Sequence, residues 1–289
     1  MLRKRWNHTN PNNKSILIVS HFWGLLLGAL SLVSLSSDAT NTATPQTNDH
    51  QSKEMPQIAI IIDDIGDNLN AGKRAIALDQ ELTYSFLPHT QHAKQLAELA
   101  HSQDKEVMLH LPMSSMSDDG LGPGALTSNM SETDFENIIA SDIKAIPYAS
   151  GVNNHMGSLL TQQPLQMRWF MQALKKYDLF FVDSRTTAHS VALEAANKFS
   201  IKTLERDIFL DDDQGSAAIQ AEFVRLIAKA KQQGIAIGIG HPHQTTLDFL
   251  QQQIPKMKQY GVRLQRVSRL LPFAAQQKNI HLTHLDENK

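Results

Sequence analysis

Two adjacent aspartates, Asp63 and Asp64, follow the apolar run Ile58-Ala-Ile-Ile-Ile62. Other ionisable groups stand in the same relation to other short apolar runs. His110 closes Val107-Met-Leu-His, His155 follows Asn153-Asn154, and Asp183-Ser184-Arg185 follow Phe180-Phe-Val. Asp211 follows Ile208-Phe-Leu, and His241 and His243 follow Ile235-Ala-Ile-Gly-Ile-Gly240. With no Cys in the chain, any metal must be bound through nitrogen and oxygen. Imidazole and carboxylate hold a divalent ion at about 2.0–2.2 Å, and a catalytic site keeps one position open for water. Zinc is the first expectation. Adjacent side chains on an extended strand diverge, so Asp63 and Asp64 are expected to divide the work. One binds metal and its neighbour reaches the water as general base.

Each residue also has a plainer explanation. An Asp pair after an apolar strand is often a turn and a helix cap. His110, in Val-Met-Leu-His-Leu-Pro-Met, would alone be read as a hydrogen-bonded core residue. Asp212 and Asp213 are read as a solvated acidic turn, and only Asp211 is kept. Gly-Ile-Gly-His-Pro-His carries more weight, because Gly allows close backbone approach and Pro fixes φ. The decisive feature is the coincidence of these groups at the ends of successive strands.

The elements that must position them alternate. Strands are expected at Ile58–Ile62, Leu82–Leu87, Glu106–Leu111, Gly151–Asn154, Leu179–Val182, within Lys202–Leu210, and at Ile235–Ile239, with an eighth at Val262–Val267. Helical patterns fall between them, near Asn68–Leu78, Gln91–His101, Glu132–Ile146 with Ser131 as N-cap, Leu165–Tyr177, Val191–Phe199, Ala217–Gln233 and Thr246–Tyr260. Seven or eight βα units point to one α/β barrel, a distorted (β/α)7-8 domain over residues 57–273, with an open doubly wound sheet as the alternative. Both architectures put chemistry at the C-terminal ends of the strands.

The ends of the chain differ in character. Arg3, Lys4, Arg5 and Lys14 precede an apolar run from Ile16 to Leu35, and Ser37-Asp38-Ala39 offers small residues for cleavage. Residues 1–39 are therefore expected to be a signal peptide or an uncleaved membrane anchor. Residues 40–56 read as a polar linker and 274–289 as a polar tail. The expected location is the periplasm or cell envelope, with membrane contact only through the N-terminal segment if it is uncleaved. Residues 40–289 hold 23 Lys and Arg against 28 Asp and Glu, a formal charge of −5. No basic cluster survives there to bind nucleic acid.

Five motifs in order, Ile58-Ala-Ile-Ile-Ile-Asp63-Asp64-Ile-Gly66, Glu106-Val-Met-Leu-His110-Leu-Pro-Met113, Gly151-Val-Asn-Asn-His155-Met-Gly-Ser158, Phe181-Val-Asp183-Ser184-Arg185-Thr186 and Gly238-Ile-Gly-His241-Pro242, resemble the divergent polysaccharide deacetylase family. That family is related to the NodB-type carbohydrate esterases, which have a distorted (β/α)7 barrel. The resemblance implies that Asp63 is the general base, Asp64 a metal ligand and His241 the general acid. The wider group takes two further ligands from a His-x-x-x-His motif. This chain has only His89-x-x-His92, of different spacing and after the second strand. His110 and His155 are the expected substitutes, with His89 or His92 next in line. Asp183, Ser184, Arg185, Asp211 and His243 are expected to orient these groups or meet substrate. Asn154 is expected either to donate to the oxyanion or to hold its loop. The expected activity is metal-dependent removal of N-acetyl (acyl) groups from an acetylated envelope glycan. A non-catalytic, metal-containing glycan-binding or scaffold protein is the second expectation, and a metal-dependent hydrolase of another substrate, such as a phosphodiester, the third.

Overall fold

The computed structural model describes residues 54–78, 81–117 and 120–275. The expected leader over 1–39, most of the expected linker over 40–56 and most of the expected tail over 274–289 lie outside the described residues. Strands and helices alternate as β1 (Gln57–Ile65), α1 (Leu69–Ile76), β2 (Thr83–Phe86), α2 (Ala93–Ser102), β3 (Glu106–Met113), α3 (Glu132–Ala145), β4 (Ala149–Met156), α4 (Pro164–Lys176), β5 (Phe180–Asp183) and α5 (Ala192–Lys198). There follow β6 (Thr203–Glu205), β7 (Ile208–Phe209), α6 (Ser216–Gln233), β8 (Ile235–Gly240), α7 (Gln244–Gln253) and β9 (Arg263–Leu264). Residues 267–275 are again helical.

Eight strands make one parallel sheet in the order β6-β5-β4-β3-β2-β1-β8-β7, and β9 pairs with the start of β1. The two edge strands are consecutive in the chain. The single strand expected within Lys202–Leu210 is in fact two, bent at Arg206-Asp207. Its first half pairs with β5 and its second with β8. At the bend, Arg206 N–H donates to Asp183 O and Asp207 N–H to Ile237 O, both at 2.9 Å. The sheet therefore curls into a distorted α/β barrel whose last gap is spanned by the chain itself. The expected eighth strand shrinks to Arg263–Leu264. The helix expected to run to Tyr260 stops at Gln253, and Pro255 sits in the 3-10 turn that follows. A proline ring in mid-helix removes one hydrogen bond and clashes with the preceding turn.

The core has two parts. One lies between the outer face of the sheet and the helices, and includes Ile58, Ile60, Ile62, Leu109, Phe170 and Phe181. The other fills the barrel. Ala59 and Ile61 of β1, Met108 of β3, Phe180 and Val182 of β5, and Ile237 and Ile239 of β8 form it, with Val267 and Leu270 packed into the same cluster. Because both faces of β1, β3, β5 and β8 are buried along most of their length, these strands read as nearly continuous apolar runs rather than alternating ones. The inward positions still recur every second residue. Continuing that count towards the C-terminal mouth gives Asp63, His110, Ser184 and His241.

Candidate metal centre

The inward layer above the apolar plug is polar. Asp63, His110, Asn153 and Ser184 are all buried. Asn153 pairs across the sheet with His110 and ties the layer together. Its Nδ2 donates to both Asp63 carboxylate oxygens at 2.9 Å, and its Oδ1 lies 2.9 Å from His110 Nδ1. The Ser85 hydroxyl also donates to Asn153 Oδ1, at 2.6 Å. With Nδ2 committed to a carboxylate, Asn153 Oδ1 must accept, so His110 carries its proton on Nδ1. That leaves the Nε2 lone pair facing the mouth. A donor-fixed tautomer of this kind is what a metal-binding histidine requires.

Asp64 joins this layer through a backbone irregularity. The pairing of β1 with β2 shifts register between Ile62 and Ile65, and Asp64 takes a left-handed φ of 55°. Divergence of Asp63 and Asp64, expected for an extended strand, therefore does not occur. His110 Nε2 lies 3.6 Å from Asp63 Oδ2 and 3.1 Å from Asp64 Oδ1. His155 Nδ1 lies 2.9 Å from Asp64 Oδ1 and 3.2 Å from His110 Nε2. Asp64 Oδ1, His110 Nε2 and His155 Nδ1 thus form a triangle with edges of 2.9–3.2 Å.

This triangle fits a divalent ion. Three donors about 2.1 Å from one ion, at octahedral to tetrahedral angles, stand about 3.0–3.4 Å apart. Asp64 Oδ1 is buried and accepts no hydrogen bond of acceptable geometry, although two ring nitrogens crowd it. The three atoms lie close enough together to share one ion. The second group of close ligand types, Asp211, His241 and His243, is accounted for differently. Asp211 Oδ1 meets His241 Nδ1 at 2.8 Å, and its Oδ2 accepts from His241 N–H and the Thr246 hydroxyl, both at 2.7 Å. Its carboxylate is occupied as the support of His241.

His241 faces the triangle from the opposite side, its Nε2 3.8 Å from Asp64 Oδ2. Burial works against its charge, but the hydrogen bond to Asp211 and the charges of Asp211, Asp64 and Asp63 together overcome it and push its pKa up to about 9. Burial raises the Asp63 carboxyl above its ordinary range, against the pull of His110, His241 and Asn153. Burial acts on Asp64 in the same sense. There the facing His110 and His155 nitrogens win and hold the carboxyl well below its ordinary range. The pair therefore separates into a more basic Asp63 and a readily ionised Asp64.

A cleft of about 210 Å³ opens over these groups, with Met156, Thr186 and Phe209 among its walls. Ser184 lines it, and so does the exposed Asp212 that sequence placed in a solvated turn. Asn154 lines it too, but its amide is used locally. Nδ2 donates to Met156 O at 2.6 Å and Oδ1 accepts from Ser184 N–H at 2.9 Å, so it holds the loops after β4 and β5 together. Asp183 and Arg185 act at one remove. The Asp183 carboxylate accepts from Arg185 N–H and the Ser190 hydroxyl, while Arg185 pairs with Glu205 at 3.3 Å. They shape the loop after β5 and touch none of the triangle. His243 meets Gln214 at 3.2 Å and lies outside the cleft walls. Sequence reasoning did not assign Asn153 a role. The signal was available, since Asn153 lies two residues before His155 on one strand and so faces the same side.

Comparison with known proteins gives the family and the fold. The family model described as divergent polysaccharide deacetylase matches residues 60–271. An uncharacterized protein of Escherichia coli (strain K12), YibQ, is 39% identical over 198 residues, 68% of this chain and 62% of the relative. An uncharacterized protein of Haemophilus influenzae (strain ATCC 51907 / DSM 11121 / KW20 / Rd) is 35% identical over 195 residues, 68% of this chain and 70% of the relative. A crystal structure of an uncharacterized protein from Agrobacterium tumefaciens C58 shares the fold. Its TM-score is 0.72 at 21% identity, covering 75% of this chain and 89% of that one.

Proposed function

This chain belongs to the divergent polysaccharide deacetylase family, and we propose that it is a metal-dependent hydrolase that removes N-acetyl groups from a polysaccharide of the cell envelope. The observation that carries this reading is the Asp64–His110–His155 triangle, with Asp63 on one side of it and the Asp211-supported His241 on the other. Asp64, His110 and His155 would hold the ion, and zinc suits a set of two imidazoles and one carboxylate. Held there, such an ion would supply Lewis acidity towards the amide carbonyl.

The chain's own residues supply the proton transfers. Asp63, raised by burial and fixed by Asn153, accepts the proton of the attacking water. His241, kept protonated by Asp211, gives a proton to the departing amine. Thr186 and Phe209 at the cleft wall confine the acetylated sugar over these groups. The basic segment and apolar run of the first 39 residues support export, so the proposed location is the periplasm or cell envelope.

Acetate release from N-acetylated oligosaccharides and peptidoglycan tests the proposal. Zinc-loaded protein should release acetate, chelation should abolish release, and added zinc should restore it. A fully loaded protein inert on every acetylated glycan would instead mark a glycan-binding or scaffold protein.

A further inference from the structure

The strands of a parallel sheet all begin at one end, so the barrel has a base opposite its mouth. The chain enters β1 at this base, at Gln57. Three neighbouring strands, β4, β5 and β6, begin side by side there. Lys144, Lys175 and Lys202, in or just before the connections that lead into them, are exposed. Among the described residues no ion pair holds any of the three, although the adjacent Lys176 meets Glu136 at 2.9 Å. Asp178 is the one acid in those connections. The helix dipole favours a lysine in a last helical turn, which accounts for Lys144 and Lys175. It does not account for Lys202, which lies between α5 and β6.

Two tyrosines stand in the same connections. Tyr148 is 57% exposed and Tyr177 43%. Tyr148 has a left-handed φ of 67°, and its ring stacks on His101 with 3.8 Å between centroids. The ring is thus held on the surface rather than folded into the core. With Met55, just ahead of β1, these are three of the six exposed large apolar or aromatic side chains among the described residues. Cations interspersed with tyrosines suit a surface that meets lipid headgroups. The same end holds a cleft of about 450 Å³, lined in part by Lys175, Lys202, Ser200, Ser268 and Leu271. Two ammonium groups and two hydroxyls suit phosphate oxygens, and Leu271 offers an apolar side.

We propose that the base of the barrel docks on an anionic phospholipid surface, with a headgroup phosphate in the cleft beside Lys175 and Lys202. The expected leader favours this occupant. Residues 40–56 would join the base to the apolar run Ile16–Leu35, and a coil of that length spans about 20–25 Å. A retained leader would therefore hold the base near lipid, where a weak contact suffices. Docked in this way, the mouth faces away from the lipid, about 30 Å off along the nine residues of β1. The proposal does not depend on which reaction the mouth performs.

The chain has no Cys, so one introduced thiol carries one label. Full-length protein labelled with a fluorophore at Gln103→Cys, at the base, or at Met116→Cys, beside the mouth, is placed in vesicles that carry a headgroup quencher. Both positions are exposed. The vesicles are phosphatidylcholine alone or mixed with phosphatidylglycerol. With phosphatidylglycerol present, the base label should be quenched well above the mouth label, and salt of about 1 M should remove the difference. Combining Lys144→Gln, Lys175→Gln and Lys202→Gln should lower the docked-to-undocked ratio about 100-fold, about fivefold for each lysine. Tyr177→Ser, with every lysine in place, should also weaken docking. Equal quenching of the two labels would overturn the proposal. So would base quenching that persists in phosphatidylcholine alone or in the triple variant.

Discussion

At the scale of single residues, the site depends on a few atoms whose protons are fixed by neighbours. Asn153 serves two of them, holding Asp63 as a carboxylate acceptor and His110 as its Nδ1–H tautomer. Asn153→Ala should therefore lower metal affinity about 10–100-fold, the usual cost of removing a partner behind a ligand. Metal titration with a competing chelator measures this, and an affinity within twofold of wild type would refute the assignment. The Asp211–His241 pair sets a pH limit. An acid must be protonated to donate, and His241 is pushed up to about 9, most strongly by Asp211. Activity should therefore fall as pH rises through about 9. Asp211→Asn removes the charge that stabilises the imidazolium, so the alkaline limb should move to lower pH by a unit or more. An unmoved limb would mean that His241 is not the titrating acid. Of these groups, Asp63, Asp64, His110 and His241 were legible in the sequence because each follows or closes an apolar run, and His155 because it comes at the end of a short strand. Asn153 was masked by the adjacent Asn154, which carries the same side chain but serves the loops after β4 and β5.

At the scale of elements, the strand ends matter more than the strands. Asp64 is the penultimate residue of β1, His89 follows β2, Met156 ends β4 and Arg185 follows β5, and all four have left-handed φ between 50° and 59°. Left-handed geometry costs a side-chain-bearing residue about 1–2 kcal/mol, and its recurrence around one mouth fits a site that turns each chain sharply after presenting a side chain. None of these four is a glycine, so the sequence offered no conformational cue. The convergence of Asp63 with Asp64 was for that reason invisible, since an extended strand would have spread them. Gly151 was a visible cue of another kind. A Cβ there would stand 2.3 Å from the Phe180 ring, which plugs the barrel below Asn153. Gly151→Ala should destabilise the protein by about 1–3 kcal/mol through overpacking, and Phe180→Leu in the same chain should recover part of the loss. Thermal unfolding of the two variants checks this, and a Gly151→Ala protein as stable as wild type would contradict the packing described.

At the scale of the whole molecule, the α/β barrel followed from the repeated alternation of short apolar runs with helical patterns. Its closure did not. The run Thr203–Phe209 looks like one strand, and only tertiary pairing reveals that its halves belong to opposite edges of the sheet, joined at Arg206-Asp207. The family match begins at residue 60, beyond the residues expected to form a leader and linker. Export is tested by fractionating cells that carry the native protein. The barrel should lie outside the inner membrane, either beginning near Thr40 or retained with its leader, and a mainly cytoplasmic pool would contradict export. The claim on which the account turns is that Asp64 binds metal while its neighbour Asp63 moves a proton. Metal stoichiometry and acetate release, measured together on wild type, Asp64→Asn and Asp63→Asn, separate the two roles. Asp64→Asn should lose most of the metal, since a neutral amide is a far weaker ligand. Asp63→Asn should keep it and lose about 10²–10⁴-fold in rate, the range of general-base catalysis. Metal retained by Asp64→Asn, or full turnover by Asp63→Asn, would contradict the account.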